Sequence, residues 1–166
     1  MKLTEQRDGE IVMASDPAGQ ADGTVCFIGR VQSAWKTRAE CPKNMEAARE
    51  TGQPARIEIA PEFRPGLLGL DGYSHAVILS WFDRAQRNLI VQKPRHATEP
   101  KGVFGLRSPV RPNPIGLHIV RLTGLDIEAG VVGIDAIDLL DGTPILDIKP
   151  YFAVIDAFPD ATRPTK

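Results

Sequence analysis

Arg107, Ser108, Arg111 and Asn113 lie close together in the run Lys101-Gly-Val-Phe-Gly-Leu-Arg-Ser-Pro-Val-Arg-Pro-Asn-Pro-Ile-Gly116, interleaved with Pro109, Pro112 and Pro114. Two guanidinium forks and a carboxamide at this spacing suit the capture of a carboxylate or a phosphate. Each proline fixes its own φ and pushes the residue before it, Ser108, Arg111 or Asn113, towards extended geometry. The loop is therefore preorganised. A segment with so few N–H groups cannot be a regular central strand, so its polar groups must be met by water, by side chains or by a ligand. The plainer reading is a rigid surface corner with solvated arginines.

A second polar constellation runs from Asp138 to Tyr151 through Asp141-Gly142-Thr143 and Asp147-Ile148-Lys149. The Asp-Gly-Thr turn can accept an amine or hydroxyls, and Gly142 lets a backbone approach closely. Asp147 and Lys149 share one strand face by their spacing of two. The alternative is a turn followed by an ion pair.

The elements that must position these residues are mostly strands. Thr24 to Val31 is apolar enough for a buried strand, Ala55 to Ala60 alternates with period two, and His75 to Phe82 has the composition of a central strand. Asn88 to Gln92, Ile115 to Leu125, Val131 to Ile137 and Ile145 to Ile148 supply more, with Asp141-Gly142 turning the chain before the last of them. Pro61 to Gly72 predicts a turn or single helical turn that plugs a core opening through Leu67, Leu68 and Leu70. The one convincing helix follows Asn44 as N-cap and stops at Gly52. Short strands without intervening helices predict a mainly β fold, a small closed antiparallel barrel with one or two short helices. Residues 1–21 read as a flexible arm or a peripheral strand, 22–158 as the domain, and 159–166 as a polar tail.

A length of 166 residues with 42% hydrophobic content suits one domain with a sizeable core. The formal net charge of −1 excludes a uniformly basic coat. Between Arg84 and Arg121, however, Arg84, Arg87, Lys93, Arg95, Lys101, Arg107, Arg111 and Arg121 face the single acid Glu99. One face is expected to be positive, which suits an anionic partner or is simply well solvated. Cys26 and Cys41 lack a Cys-x-x-Cys spacing, and His75, His96 and His118 lie far apart in sequence, so no metal site is expected and the histidines read as structural. No leader or membrane span is visible, which predicts a cytoplasmic protein.

Together, Gly-Val-Phe-x-x-Arg-Ser-Pro-x-Arg-Pro-Asn-Pro-Ile-Gly-Leu and Asp-Leu-x-Asp-Gly-Thr-Pro-x-Leu-Asp-Ile-Lys-Pro-Tyr are very similar to the TrmO (YaeB-like) family. Ile28-Gly29-Arg30-Val31 and Gly69 to His75 extend the resemblance to about residues 24–156. It implies a homodimeric β-barrel that uses S-adenosylmethionine to N6-methylate threonylcarbamoyladenosine beside the anticodon of tRNA. A Rossmann-type methyltransferase is not implied, in keeping with the lack of a Gly-x-Gly between a strand and a helix. Carried over by position, the cofactor-binding segments fall on Pro42, Lys43 and Asn44, on Asp83 and Arg84, on Arg107, on Leu117, and on Leu140, Asp141, Gly142 and Thr143. The first two segments are substituted relative to the family pattern, and the rest are retained.

Arg107 or Lys43 would hold the cofactor carboxylate, Asp141 its amine or ribose, and Leu117 with Leu140 would flank the adenine. Asp141, Asp147, Lys149 and Tyr151 are candidates to assist loss of the acceptor proton. Ser108, Arg111 and Asn113 are candidates to grip the acceptor. The substituted segments leave open a small-molecule acceptor, and two further readings stand beside the enzyme: a non-catalytic adenosylmethionine or nucleotide sensor, and a barrel that only binds partners.

Overall fold

The computed structural model describes residues 6–20, 22–94 and 97–163, so Arg95 and His96 of the sequence reading lie outside the described residues. Six strands close into an antiparallel barrel: β2 (Gly29–Gln32), β3 (Ala55–Ile59), β4 (His75–Trp81), β7 (Ile115–Asp126), β8 (Val131–Ile134) and β9 (Pro144–Pro150). Their spatial order is β2-β3-β8-β7-β4-β9, with β9 pairing back onto β2. Alternation dictates the filling. Ala76, Ile78 and Ser80 of β4 and Gly116, His118 and Val120 of β7 are the buried positions of their strands. With Val31, Ile57, Ile134 and Ile145 they fill the interior, each large apolar side chain contributing roughly 1.5–3 kcal/mol.

Chain direction defines two ends. β4 finishes, and β7 and β9 begin, at one end, where Trp81 pairs with Ile115 and Ser80 with Ile145. The segment after β8 caps this end with Ala136, Ile137 and Leu139, all buried. The other end is closed by 3-10 turns at Pro61–Leu67 and Leu70–Gly72, which bury Leu67 and Leu70 as plugs while Leu68 stays exposed.

β4 is central, flanked by β7 and β9, as its composition predicts. Two expectations change. The run from Thr24 is extended only from Gly29, with Val25 and Phe27 exposed, because the pairing available from β9 reaches no further than the Ile28 N–H donating to the Ile145 carbonyl at 2.9 Å. The segment near Asn88 is a strand, β5 (Leu89–Gln92), but outside the barrel. Both edges of β4 are occupied, so β5 instead joins β1 (Ile11–Val12) and β6 (Lys101–Gly102) in a small sheet. Residues 11–12 of the expected N-terminal arm are thus a peripheral strand. Helix is scarce: α1 (Met45–Glu50), with the Asn44 side chain capping the Ala47 N–H at 2.8 Å, and α2 (Ala153–Asp156).

Candidate active site at the proline-loop end of the barrel

β7 pairs with β8 only from Leu122 onward, whereas its first half pairs with β4 alone. The other edge of that half is an open seam. Arg107 donates to the Leu117 carbonyl at 3.1 Å and Arg49 of α1 to the Ile119 carbonyl at 2.7 Å, while Arg121 and Asp135 close its lower end. Arg107 is exposed, and most of its five donors are free of protein partners. Along this half-strand Ile115, Leu117 and Ile119 point outward and are exposed, an apolar stripe beside the guanidinium.

The Leu140–Thr143 turn lies at the same end and is tightly built. The Asp141 N–H donates to the Trp35 carbonyl at 2.8 Å, the Gly142 N–H to the Val31 carbonyl at 2.9 Å, and the Thr143 hydroxyl to the Leu140 carbonyl at 2.6 Å. Gly142 has φ of 77°, a left-handed conformation that favours glycine. The Asp141 carboxylate accepts the Ser33 N–H at 3.0 Å and pairs with Lys36 at 2.7 Å. The Lys36 ammonium foremost, and then the Ser33 N–H, hold its pKa below the ordinary carboxylate value, so it stays ionised and is a weak proton acceptor. Arg84, just past β4, reaches the Asp141 carbonyl at 3.3 Å, and Arg30 the Gly142 carbonyl at 2.7 Å.

In the Cys41–Asn44 loop, the Asn44 side chain is taken up as the cap of α1. Burial foremost, and then the charge of Asp138, push the Cys41 thiol up to about 11. We expect Cys41 to resist alkylation at neutral pH while exposed Cys26 is modified, and Asp138→Asn to speed Cys41 modification, read by mass spectrometry over time. Equal rates for the two cysteines would contradict this environment.

Not every predicted residue converges. β9 carries each residue past Thr143 down the barrel at ~3.3 Å per step, which places Tyr151 roughly 26 Å from the turn, at the plugged end. There its N–H bonds the His75 carbonyl at 3.0 Å and its ring sits 6.4 Å from the His75 ring. Asp147 and Lys149 form a surface ion pair at 2.7 Å on the flank of β9. Lys149 and Tyr151 thus lie away from Asp141, whereas Asp147 pairs with Leu79, the partner of Leu117, and shares its rung of the barrel.

Arg111 is likewise turned inward. Its guanidinium bonds the carbonyls of Ser108 and Val103, each at 2.9 Å, and that of Leu106, so its donors shape the loop. Arg111→Ala is expected to cost about 1–3 kcal/mol and to make the 103–112 segment sensitive to protease, measured by denaturation and limited digestion. A wild-type digestion pattern would show that the prolines alone hold the loop. Asn113 is exposed and meets Arg87 at 3.4 Å, while Arg87 also bonds the Pro112 carbonyl at 2.6 Å and stacks 5.3 Å over Trp81. Two cavities lie elsewhere: one of about 220 Å³ at the plugged end beside Leu70, Tyr73 and Leu125, the other beside Arg7 and Lys93.

Sequence reasoning took His118 as structural and Asp138 as part of the second polar constellation, and it did not foresee that they meet with Ser80 inside the barrel. The inward phase of β7, Gly116-x-His118-x-Val120, was the available signal for the histidine. Among the described residues no cluster of three metal-ligating side chains exists, and no helix is long and apolar enough to cross a membrane.

With this geometry established, comparison with known proteins is decisive. The family model described as the tRNA-methyltransferase O N-terminal domain matches residues 30–157. The chain belongs to the TrmO family. It is 40% identical over 134 residues to a probable S-adenosyl-L-methionine-binding protein of Archaeoglobus fulgidus, covering 81% of this chain and 35% of the relative. It is 35% identical over 150 residues to the probable S-adenosyl-L-methionine-binding protein VirR of Rhizobium radiobacter, covering 90% and 82%. Among solved structures, TrmO from Pseudomonas aeruginosa aligns with a TM-score of 0.66 at 34% identity, over 84% of this chain and 60% of that one. The chain thus spans about a third of the A. fulgidus relative and three fifths of the solved TrmO chain, and the barrel is the part shared with TrmO.

Proposed function

We propose that this TrmO-family barrel is an S-adenosylmethionine-dependent methyltransferase whose acceptor is N6 of threonylcarbamoyladenosine beside the anticodon of tRNA. The observation that supports the reading is that two retained segments lie at the same end of the barrel: Arg107 on the Leu117 carbonyl at the open edge of β7, and the Leu140–Thr143 turn, whose Asp141 carbonyl Arg84 bonds. The donor set fits the cofactor chemically: Arg107 offers spare guanidinium donors to a carboxylate, Leu117 an exposed apolar surface, and the seam backbone groups to a heterocycle.

When bound, S-adenosylmethionine supplies an electrophilic methyl on a sulfonium, a leaving group that needs no protonation. The chain's share of the work is then alignment, and the distance of Lys149 and Tyr151 from the Asp-Gly-Thr turn fits a site that relies on position more than on a strong base. Arg107 would hold the carboxylate of the donor, and Asp141 its amine or ribose. Asn113 and Ser108 on the proline loop would orient the acceptor, and Lys101 would face its phosphates. The resemblance implies a homodimer acting in the cytoplasm.

The test is incubation with labelled adenosylmethionine and tRNA from a strain lacking the protein, followed by nucleoside mass spectrometry. A methylated threonylcarbamoyladenosine is the expected product. Cofactor binding without transfer would replace the enzyme with a sensor, and transfer to a small molecule would move the acceptor. A salt titration separates the last case, because phosphate contacts weaken steeply as salt rises.

A further inference from the structure

One buried polar cluster has no part in the candidate site described above. Ser80 and His118 are 0% and 3% exposed and project into the barrel at its proline-loop end. Ser80 Oγ lies 2.9 Å from His118 Nε2, and His118 Nδ1 lies 2.7 Å from Asp138 Oδ1. Serine, imidazole and carboxylate in that order make a nucleophilic triad when the hydroxyl can meet a substrate. Here it cannot. Ser80 is sealed, and the Gly116 backbone covers it so closely that a Cβ there would sit 2.6 Å from His118 Nε2 and 2.8 Å from Phe82. Acyl transfer is excluded by access.

What the cluster joins is more informative. Ser80 is the last inward residue of β4 and leads into Asp83-Arg84; His118 directly follows Leu117 on β7. Asp138 lies within the cap two residues before Leu140, and its charge bears on Cys41. Three of the five segments that the resemblance assigns to the cofactor, at Asp83-Arg84, Leu117 and Leu140–Thr143, therefore adjoin residues tied to a single imidazole. Both ring nitrogens are engaged, so rotating the ring or sliding β4 against β7 leaves a buried polar group unpaired. The network has one satisfied arrangement.

We infer that Ser80, His118 and Asp138 form a positioning network that sets the separation of the cofactor-facing segments. This rests on reading the candidate site as an adenosylmethionine site. The test is calorimetric titration of adenosylmethionine into the full chain and its variants, with the imidazole N–H proton observed by NMR without cofactor. His118→Leu, which keeps the volume and loses both bonds, is expected to bind about tenfold more weakly or worse. His118→Asn, which can still donate to Asp138, should recover to within about threefold of wild type. Ile57→Val, a core change remote from the network, should lower stability and leave affinity unchanged. The wild-type spectrum should show a strongly hydrogen-bonded imidazole proton that Asp138→Asn shifts. Should His118→Leu fail to fold, Ser80→Ala serves, with an expected loss of about threefold or more.

A wild-type chain that does not bind adenosylmethionine overturns the functional reading and this inference with it. A wild type that binds, with His118→Leu or Ser80→Ala unaffected, overturns the positioning role alone. Affinity losses that match those of Ile57→Val at equal stability do the same.

Discussion

Gly116→Ala is expected to destabilise the barrel by about 1–3 kcal/mol, the usual cost of forcing a methyl into a packed interior. The methyl would overlap Ser80 Oγ and sit 2.6 Å from His118 Nε2 and 2.8 Å from Phe82 Cε2, and two of these three are bound to partners that cannot follow them. Relief requires β7 to move away from β4. The midpoint of urea unfolding should fall with little change in slope, and adenosylmethionine affinity should fall further than in a core variant of equal stability. An alanine variant with the wild-type midpoint would mean that the register of Ser80 against Gly116 differs from the one described here.

Arg107→Ala is expected to do the reverse, leaving stability nearly intact while cofactor binding falls by about 10- to 100-fold, the loss of one charge-assisted hydrogen bond to an anion. The exposed guanidinium has one protein acceptor, the Leu117 carbonyl, which water can satisfy once the side chain is gone. Arg107→Lys should restore the charge but only part of the affinity, because an ammonium cannot bridge that carbonyl and a carboxylate as a planar fork can. Calorimetry decides it. Binding to Arg107→Ala as tight as to wild type would remove this arginine from the site and leave Lys43 as the remaining candidate for the cofactor carboxylate.

Legibility from sequence followed the range of the interactions involved. The proline loop, the Asn44 cap and the left-handed Gly142 were readable because the chemistry that fixes them is local, within a few residues. The barrel was readable from strand alternation, although not the departure of Leu89–Gln92, which depends on β4 already having a neighbour on each side. Arg111 looked like a ligand-facing charge because nothing in its neighbours reveals that three carbonyls curl around it. Tyr151 looked close to Asp141 because the motif is continuous in sequence, yet a strand is the most extended way to connect two residues. The Ser80–His118–Asp138 network was least visible, since its members are separated by 38 and 20 positions and meet only once β4, β7 and the cap are assembled.

The strand segment around Leu117 and Ile119 is held by one backbone ladder and by two arginine side chains on its other edge. Amides along it should exchange with deuterium well before those of β4, which is sandwiched between two ladders. A molecule docking there would slow that exchange, making the barrel's least guarded stretch a direct reporter of occupancy.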